Sequence, residues 1–375
     1  MITAIRPRLR PRFAVLGAGH GGHALAGYLG LLGCPVSIYT HTPAKAEAIT
    51  AAGGIWLEGA VAGFGPVELA SLDLAAVLEN ADVVLETHPA HLHREVAEAC
   101  APWLRPGQVV VLNPGRTGGA LEFSHVLTER GVVGVTVAET QTFPFASRML
   151  EPGRGRVFGI KREVPLAALP ARQTPRVMAL LRYAMPWLTA ADSVLETSLG
   201  NIGGVFHPTL TLLNAGRIED TQGNFEFYHA GATPGVGRVL EQLDHERLGV
   251  AGALGVAVPS ARRWLEAAYG ARGDDLRGAI LQNRSYAGIR APESLEHRYL
   301  EEDIPASLVP LAGLGQHLGV PTPIMDSLID LASVIHQRDY RREGRTVARL
   351  GLAGLGPAEI RHLALEGGTE REAIS

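Results

Sequence analysis

The segment Phe13-Ala-Val-Leu-Gly17-Ala-Gly19-His-Gly21-Gly22 decides the class of fold. Four apolar residues are followed by glycines in a Gly-x-Gly-x-x-Gly pattern. Between a strand and a helix, the first glycine of this pattern permits a tight turn, the second lets a pyrophosphate approach the backbone, and the third lets the helix pack on the strand. The helix would also direct its free N–H groups at the phosphates. We therefore predict dinucleotide contacts at Gly17, Ala18, Gly19, His20, Gly21 and Gly22.

The rest of the N-terminal half alternates short apolar runs with helical stretches. This alternation is typical of a doubly wound parallel sheet, whose strands are apolar because both faces are buried. The predicted strands are Phe13–Gly17, Val36–Thr40, Val83–Thr87, Val109–Asn113 and Val132–Glu139. Two further runs, Gly54–Glu58 and Val67–Ala70, are predicted to form an inserted antiparallel pair, and Gly155–Ile160 is predicted to be a late edge strand.

The C-terminal half has a different periodicity. From Arg176 onward apolar residues recur three and four positions apart and strand signals vanish, which predicts an all-α domain. Capping signals predict helices that begin at Ser193, with Glu196 completing a capping box, and at Pro259-Ser260, with Gly270 as the stop. A further helix is predicted after Pro323, with an apolar face of Ile324, Leu328, Leu331 and Ile335.

The chain is therefore expected to have three parts: a basic leader at 1–12, a Rossmann dinucleotide-binding domain at 13–185 and a helical domain at 186–375. Pro165–Pro175 is predicted to be the connector between the domains. The leader carries four arginines but no apolar signal core follows, so we expect it to be solvated. The tail after Gly367 is expected to be frayed.

Composition limits the partners and the compartment. The 375 residues carry a net charge of −4, which gives no positive field for nucleic acid, so we expect no nucleic-acid partner. No run approaches the ~20 apolar residues of a membrane span, so no membrane partner is expected. Cys34 and Cys100 are the only cysteines and form no Cys-x-x-Cys pair, which favours a reducing, cytoplasmic compartment. A homodimer through the helical domain is compatible with the sequence.

The end of the second predicted strand bears on the choice between NADH and NADPH. An NAD enzyme usually places an acidic residue about 20 positions beyond the glycine motif, where it binds the ribose 2′-hydroxyl. Here the segment is Thr40-His41-Thr42-Pro43-Ala-Lys45, without a carboxylate and with several donors for a 2′-phosphate. Alternatively, these residues only begin the next helix, since Thr42 before Pro43 is a good cap. We predict NADP(H) or NAD(H), with a slight preference for NADP(H).

Two other loops follow strand ends, where ligands of doubly wound sheets bind. We predict cofactor contacts from them and from the last strand, at Pro89, Asn113, Gly115 and Glu139. The first loop holds three histidines at 88, 91 and 93, but neither cysteine nor the usual set of zinc ligands accompanies them, so no metal is predicted.

Several longer motifs resemble the opine dehydrogenase (octopine dehydrogenase) family. The resemblance runs in order from about residue 13 to the C-terminus. Its motifs are Asn113-Pro-Gly-Arg-Thr-Gly-Gly-Ala-Leu-Glu-Phe123, Ala138-Glu139-Thr140, His207-Pro208-Thr-Leu-Thr-Leu-Leu-Asn214, Phe227-Tyr228, Thr233-Pro234, Arg298-Tyr-Leu-Glu-Glu-Asp303 and Arg342-Glu-Gly-Arg-Thr346.

This resemblance implies an NAD(P)H-dependent reductive condensation of a 2-oxo acid, often pyruvate, with the amine of an amino acid. It implies a catalytic pair, His207 and Asp303, and an arginine for the 2-oxo acid carboxylate, Arg298. The residue types suit the chemistry. Histidine exchanges protons near neutral pH, and a carboxylate on its other ring nitrogen fixes the tautomer. We also expect Pro208 to begin a helix, whose positive end would lower the pKa of His207.

For several of the remaining site residues, a functional and a structural interpretation both stay open. Arg298 offers a planar fork for a carboxylate, or only a surface ion pair with Glu301 or Glu302. Tyr228 and Thr233 are substrate contacts or ordinary packing residues. Asn201 is predicted to contact substrate, while Gly203 replaces an amide found in some relatives, which leaves the amino-acid partner open.

Two other functions stay open at this point. A ketopantoate or hydroxyacid reductase would share the fold, but such enzymes usually use a lysine in the helical domain. Lys45 and Lys161 are the only lysines here, and neither lies in that domain. A non-catalytic NAD(P)-binding sensor is the second alternative, and the presence of His207, Arg298 and Asp303 together argues against it.

Overall fold

The computed structural model describes residues 10–368 of the chain. Most of the predicted leader and the tail beyond 368 lie outside the described residues. Arg12 is not a free leader residue, because its backbone N–H donates to Asp82 at 2.8 Å. The strands are β1 Phe13–Leu16, β2 Val36–Tyr39, β3 Gly54–Gly59, β4 Gly63–Pro66, β5 Leu69–Ser71, β6 Val83–Glu86, β7 Val109–Leu112, β8 Thr136–Thr140, β9 Phe145–Glu151, β10 Arg154–Ile160, β11 Val164–Leu169 and β12 Leu188–Ala190.

The main sheet has the strand order β12-β11-β8-β7-β6-β1-β2-β5. The six neighbouring strands β5, β2, β1, β6, β7 and β8 are parallel and follow the Rossmann order. The strand order reverses at β1, which lies between β2 and β6. β1, β6 and β7 are buried along their whole length, which explains their unbroken apolar sequences. The predicted Rossmann sheet is confirmed.

A second sheet, in the order β4-β3-β10-β9, corrects two strand predictions. The antiparallel partner of β3 is β4, whereas the predicted partner Val67–Ala70 contributes β5 to the main sheet. Gly59 and Gly63 have φ of +96° and +137°, so the chain turns back earlier than expected. Gly155–Ile160 lies within β10, which is paired on both sides and is not an edge strand.

The predicted connector Pro165–Pro175 is also wrong. Pro165 lies within β11, which pairs antiparallel with β8 and parallel with β12. Leu166, Ala167 and Ala168 in this strand are fully buried. The proline hides the strand signal, but the antiparallel register begins only at Leu166, so the missing N–H does not break it.

The helices cover much of the rest of the chain. They are α1 His20–Leu31, α2 Pro43–Ala52, α3 Leu74–Leu78, α4 His93–Cys100, α5 Gly119–Glu129, α6 Thr174–Leu181, α7 Val194–Leu199, α8 Gly203–Leu212, α9 Ala215–Thr221, α10 Pro234–Ala253, α11 Ala261–Tyr269, α12 Leu276–Gln282, α13 Arg298–Glu301, α14 Val309–Leu318, α15 Pro323–His336, α16 Tyr340–Glu343 and α17 Pro357–Glu366. A π-helical turn, Ile304–Leu308, precedes α14, and short 3-10 turns lie at Ala90–Leu92, Ala171–Gln173 and Arg284–Tyr286.

The helix starts predicted at Ser193, Pro259-Ser260 and Pro323 hold, with two corrections. Ser260 caps α11 through Arg263 N–H, and Gly270 ends it with φ of +67°. Ser193 is the N-cap residue of α7 but makes no capping bond, because Glu196 accepts from the Asp192 N–H instead. The predicted apolar face of α15 is wrong in part. Its buried residues are Met325, Leu328, Ile329 and Ala332, whereas Leu331 and Ile335 are exposed.

The described chain divides into two compact units. The first unit comprises 10–88, 94–114 and 126–190 and contains both sheets. The second comprises 89–93, 115–125 and 191–368 and is helical. The predicted boundary between 185 and 186 stays a prediction. Among the described residues, no helix has both the length and the hydropathy needed to cross a bilayer.

Candidate active site

The glycine-rich turn between β1 and α1 leaves room for a ligand. Gly17 has φ of +101°, and a Cβ at Gly22 would lie 1.7 Å from the Gly17 carbonyl oxygen, so both positions require glycine. A Cβ at Gly19 would meet nothing within 4 Å. Gly19 is the N-cap of α1 and no side chain caps this helix. The free N–H groups and open space fit the pyrophosphate of a dinucleotide.

The other residues of this turn are fixed by the first unit itself. Ala18 is buried. The Nδ1 of His20 accepts from Met149 N–H at 2.9 Å, and its carbonyl accepts from Ser147. A Cβ at Gly21 would approach the Phe143 ring at 2.7 Å. The second sheet therefore holds the start of α1 in place.

Thr40, His41 and Thr42 follow β2 as predicted. The Oγ1 of Thr40 is buried and accepts from Thr42 N–H at 3.2 Å, and His41 is exposed. Thr42 occupies the N-cap position of α2, yet its side chain makes no capping hydrogen bond. Its hydroxyl is therefore available for another acceptor.

The later strand ends supply a buried acceptor and a buried acid. Asn113 donates from Nδ2 to Val111 O at 2.8 Å, but its buried Oδ1 has no hydrogen-bond partner, which suits a ligand donor. Glu139 is fully buried in β8. Pro89 and Gly115, also predicted to contact the cofactor, belong to the second unit rather than the first. His88 donates to Glu86, and within 10–368 no cluster of metal-ligating side chains occurs.

The predicted catalytic pair is in direct contact within the second unit. The Nδ1 of His207 lies 2.8 Å from Oδ2 of Asp303. Asp303 is fully buried, whereas the His207 side chain is 18% exposed. Because a carboxylate accepts only, Nδ1 carries the proton, and Nε2 is left for exchange with a substrate.

The expectation that Pro208 begins a helix is wrong. α8 begins at Gly203, so His207 and Pro208 lie inside it. A helix-end dipole therefore does not act on His207. The imidazole is oriented by the side chains around it instead. Tyr299 stacks on it with ring centroids 4.1 Å apart and planes at 15°.

The other oxygen of Asp303 is also occupied. Ser307 donates to Oδ1 at 3.2 Å, and Asn201 Nδ2 donates to the Ser307 hydroxyl at 2.9 Å. The Nη1 of Arg116 lies 3.3 Å from the same Oδ1. Asn201 thus supports the Asp303 carboxylate through Ser307. The carboxylate is held as an acceptor on both oxygens, which fixes the oxygen that accepts from His207.

Arg116 and Glu302 form a buried ion pair that sequence reasoning missed. The Nε of Arg116 donates to Oε1 of Glu302 at 3.1 Å. Burial raises the pKa of Glu302, but Arg116 and Arg298 outweigh it and hold that pKa well below its ordinary value. Burial lowers the pKa of Arg116, but Asp303 and Glu302 outweigh it and raise that pKa. Both residues lie in motifs given in the sequence analysis, but the sequence does not show that their side chains are buried.

Arg298 makes the ion pair that the sequence offered as an alternative. Its Nη2 donates to Oε2 of Glu302 at 2.9 Å, and its side chain is 60% exposed. Only one of its N–H groups is used in this way, so the rest of the fork remains accessible. Pairing with Glu302 orients the guanidinium and does not exclude a second, external carboxylate.

Tyr228 and Thr233 differ in their surroundings. Tyr228 is buried and stacks on Tyr286 with centroids 3.9 Å apart. Burial raises its pKa well above the ordinary value, so the phenol stays neutral. Thr233 is exposed and caps α10 through the Val236 N–H. Its hydroxyl oxygen therefore already accepts the hydrogen bond that caps α10.

The glycine at 203 is explained by its neighbours. A Cβ there would lie 2.6 Å from Arg116 Nη1 and 3.4 Å from His207 Cε1. The arginine fills the space that a side chain at this position would need.

A second buried arginine holds the loop that carries Arg116. Arg345 donates from Nε to Glu122 at 2.7 Å and from Nη1 to the Gly115 and Thr117 carbonyls at 2.9 and 3.1 Å. Its Nη2 donates to the Ala90 carbonyl at 2.6 Å and contacts His93 Nδ1 at 2.8 Å. All three of its nitrogens are used to join three chain segments of the second unit.

Comparison with known proteins identifies the class. The family model for the α-helical domain of NAD/NADP octopine/nopaline dehydrogenases matches residues 190–336, and that for the N-terminus of NAD-dependent glycerol-3-phosphate dehydrogenases matches 12–123. Fold and matches together define an NAD(P)-dependent oxidoreductase with a helical second domain. An opine dehydrogenase of Arthrobacter sp. (strain 1C) is 40% identical over 350 residues, covering 93% of this chain and 97% of the relative. The chain belongs to the opine dehydrogenase family.

Solved structures agree on the fold. Octopine dehydrogenase with NADH and L-arginine has a TM-score of 0.79 at 23% identity, covering 93% of this chain and 97% of that one. Yersinopine dehydrogenase with NADP+ has a TM-score of 0.73 at 17% identity, covering 95% and 99%. The family membership decides against the ketopantoate reductase alternative.

Proposed function

We propose that the protein joins a 2-oxo acid, with pyruvate the first candidate, to the amino group of an amino acid, and that it catalyses the reverse oxidation. The observation that carries the proposal is the contact between His207 and Asp303 in the second unit. It provides one exchangeable imidazole nitrogen backed by a buried carboxylate, which is what imine formation and reduction need.

The glycine-rich turn would hold the cofactor pyrophosphate, with Gly19 in contact and the start of α1 providing N–H groups. Asn113 and Glu139 would bind further along the same sheet edge. Pro89 and Gly115 remain proposed cofactor contacts. When bound, NAD(P)H supplies the hydride that reduces the imine carbon. The chain itself contributes binding, orientation and proton exchange.

His207 would exchange protons at two stages through Nε2. As an imidazolium it donates a proton to the carbinolamine hydroxyl, which leaves as water when the imine forms. As a neutral imidazole it takes a proton from the attacking ammonium. Asp303 keeps the ring oriented at both stages by accepting from Nδ1.

Arg298 would bind the carboxylate of the 2-oxo acid. Its guanidinium is accessible and is oriented by Glu302. Tyr228 and Asn201 would limit the space for the amino acid from positions that are already packed. Thr233 would act from its exposed place at the start of α10.

A preference for NADP(H) over NAD(H) is part of the proposal. It is supported by the absence of a carboxylate among Thr40, His41 and Thr42 and by the unused hydroxyl of Thr42. These donors suit a 2′-phosphate better than a 2′-hydroxyl. Titration of the protein with each reduced cofactor, followed by nicotinamide fluorescence, measures the ratio of the two dissociation constants. Tighter binding of NADH would contradict the preference.

A homodimer is also proposed, through the helical unit. α15 exposes Leu331, Val334 and Ile335, and Val334 is 77% exposed. Adjacent exposed apolar side chains of this kind often mark an interface. We expect Val334→Glu to convert a dimer to a monomer in sedimentation velocity. A wild-type protein that sediments as a monomer at micromolar concentration would contradict it.

We place the enzyme in the cytoplasm, because Cys34 and Cys100 are buried free thiols.

The direct test is a spectrophotometric screen of NADPH and NADH against pyruvate, glyoxylate and 2-oxoglutarate, each with a panel of amino acids. We expect oxidation of the cofactor only when all three substrates are present. Failure of every combination would favour the non-catalytic sensor. Oxidation with a 2-oxo acid alone would indicate a hydroxyacid reductase.

A further inference from the structure

Arg116 has an unusual backbone and an unusual environment for an arginine. Its side chain is 9% exposed, and its φ is +59°. Among residues 10–368, the other non-glycine residues with positive φ are Gln222 and Gln337, which end α9 and α15. Arg116 ends no helix. Left-handed backbone costs about 1 kcal/mol outside glycine, and such strain clusters at functional sites.

The guanidinium of Arg116 is not saturated by the protein. Its Nε donates to Glu302, and its Nη1 is 3.3 Å from Asp303. Its Nη2 has no hydrogen bond to any described residue. A guanidinium has five N–H groups arranged for planar, two-point binding of a carboxylate. A buried arginine with one nitrogen unused therefore has the chemistry of an anion site.

The guanidinium of Arg116 lies near the His207 ring. The same point, a Cβ built on Gly203, lies 2.6 Å from Arg116 Nη1 and 3.4 Å from His207 Cε1. Cε1 adjoins Nε2, the nitrogen available for proton exchange. An anion bound to Arg116 would therefore sit close to the group that acts on the substrate nitrogen.

The product of the proposed reaction carries two carboxylates joined through one nitrogen. The second unit presents two arginines on one glutamate, since Arg116 binds Oε1 of Glu302 and Arg298 binds Oε2. Glu302 thus sets the spacing of two cations. The charges of Arg116 and Arg298 offset those of Glu302 and Asp303, so two substrate carboxylates do not meet a net negative site.

We propose that Arg116 binds the carboxylate of the amino-acid substrate, while Arg298 binds that of the 2-oxo acid. This inference rests on the proposed function, because it takes Arg298 as already assigned. It makes Arg116 the residue that selects an amino acid over a plain amine.

The test compares each amino acid with its decarboxylated amine. L-arginine is paired with agmatine and L-phenylalanine with phenethylamine, at fixed pyruvate and NADPH. The quantity compared is the ratio of kcat/KM for the amino acid to kcat/KM for its amine, which should favour the amino acid in the wild type. In Arg116→Gln this ratio should fall by about 10-fold to 100-fold, the loss expected for a charge-assisted hydrogen bond. A general loss of kcat through Asp303 affects both members of a pair and cancels in the ratio.

Two variants serve as controls. Arg298→Lys should keep the ratio, since it acts on the other substrate. Gly203→Ala keeps the arginine but displaces it, and should lower the ratio by a smaller factor. If Arg116→Gln is folded but too slow to assay, calorimetric binding of each pair to the protein with NADPH replaces kcat/KM.

An unchanged ratio in Arg116→Gln, or a rise confined to the KM for pyruvate, overturns the inference while leaving the proposed function intact. Failure of the wild type to turn over any 2-oxo acid with any amine overturns both. The two failures are therefore distinguishable.

Discussion

His207 takes its orientation from side chains rather than from a helix end. Asp303 accepts from its Nδ1 and Tyr299 covers one face of its ring. Asp303 is itself held by Ser307 and Arg116, so the imidazole has little freedom to turn. This arrangement leaves Nε2 as the nitrogen that we propose exchanges protons with the substrate.

Substitution of His207 tests this role. We expect His207→Ala to lower kcat by about 10²-fold to 10⁴-fold, the usual contribution of general acid–base catalysis, with cofactor affinity nearly unchanged. Steady-state rates and cofactor fluorescence titration measure the two quantities. His245→Ala, at an exposed position on α10, is the matched control and should retain full activity. If the His207 variant keeps most of its kcat, another group carries the proton.

Substitution of Arg298 tests the carboxylate assignment. Lysine keeps the charge but loses the planar fork, so Arg298→Lys should raise the KM for the 2-oxo acid about 10-fold or more. The KM for the amine should change much less. Initial rates with each substrate varied in turn separate the two values, and equal effects on both would show that Arg298 is not the clamp.

Sequence could pair His207 with Asp303 although they stand 96 positions apart, because each lies in a motif of the family that the chain resembles. It could not identify Arg116 and Glu302 as partners. Nothing local distinguishes a buried arginine in Asn-Pro-Gly-Arg from a surface one, since its burial comes from segments far along the chain. The environment of Arg298 stayed open for the same reason.

At the scale of secondary structure, α1 and its preceding turn carry the cofactor proposal. The close approach of Gly22 to the Gly17 carbonyl leaves no space for a methyl group. Local sequence signals this well, because the glycine spacing is tied to the geometry of one turn.

We expect Gly22→Ala to destabilise the protein by at least about 2 kcal/mol, as overpacking does, and to weaken cofactor binding. Gly252→Ala is the control. It lies in α10 with open space around its Cβ, so it should stabilise by about 0.5–1 kcal/mol. Urea unfolding measures both. Equal stability of the two variants would contradict the tight packing at Gly22.

Elements were predictable where their local signal was strong. Parallel strands of the main sheet and the cap of α11 held to within a few residues. β9 and β11 were missed, because charged residues or a proline interrupt them and their pairing partners decide the outcome. Periodicity also failed on α15, where apolar residues occur on the exposed side.

At the scale of the whole molecule, one buried histidine links stability to pH. His23 in the first unit is fully buried; Gly153 N–H donates to its Nε2 at 3.2 Å, and its Nδ1 lies 3.1 Å from the Gly19 carbonyl. Because Nε2 accepts, the neutral ring is required. Burial is the largest cause that lowers the pKa of His23, from 6.5 to about 4.

Below pH 6.5 the unfolded chain protonates this histidine and the native chain does not. The free energy of unfolding should therefore fall as pH drops from 6.5 toward 4, by about 3 kcal/mol from this group, and be fully retained above 6.5. Urea unfolding of the wild type and His23→Gln across pH 4–7 isolates the contribution. Parallel curves for the two proteins would show that His23 is not its source.

The contacts of Arg345 also set an order of events during synthesis. The loop that carries Arg116 emerges from the ribosome early, but the guanidinium that ties Gly115, Thr117 and Ala90 together is translated more than 200 positions later. Until then these segments lack their common anchor. A nascent chain therefore contains its nucleotide-binding strands well before the loop of Arg116 acquires its anchor. A chain that ends before Arg345 never acquires it.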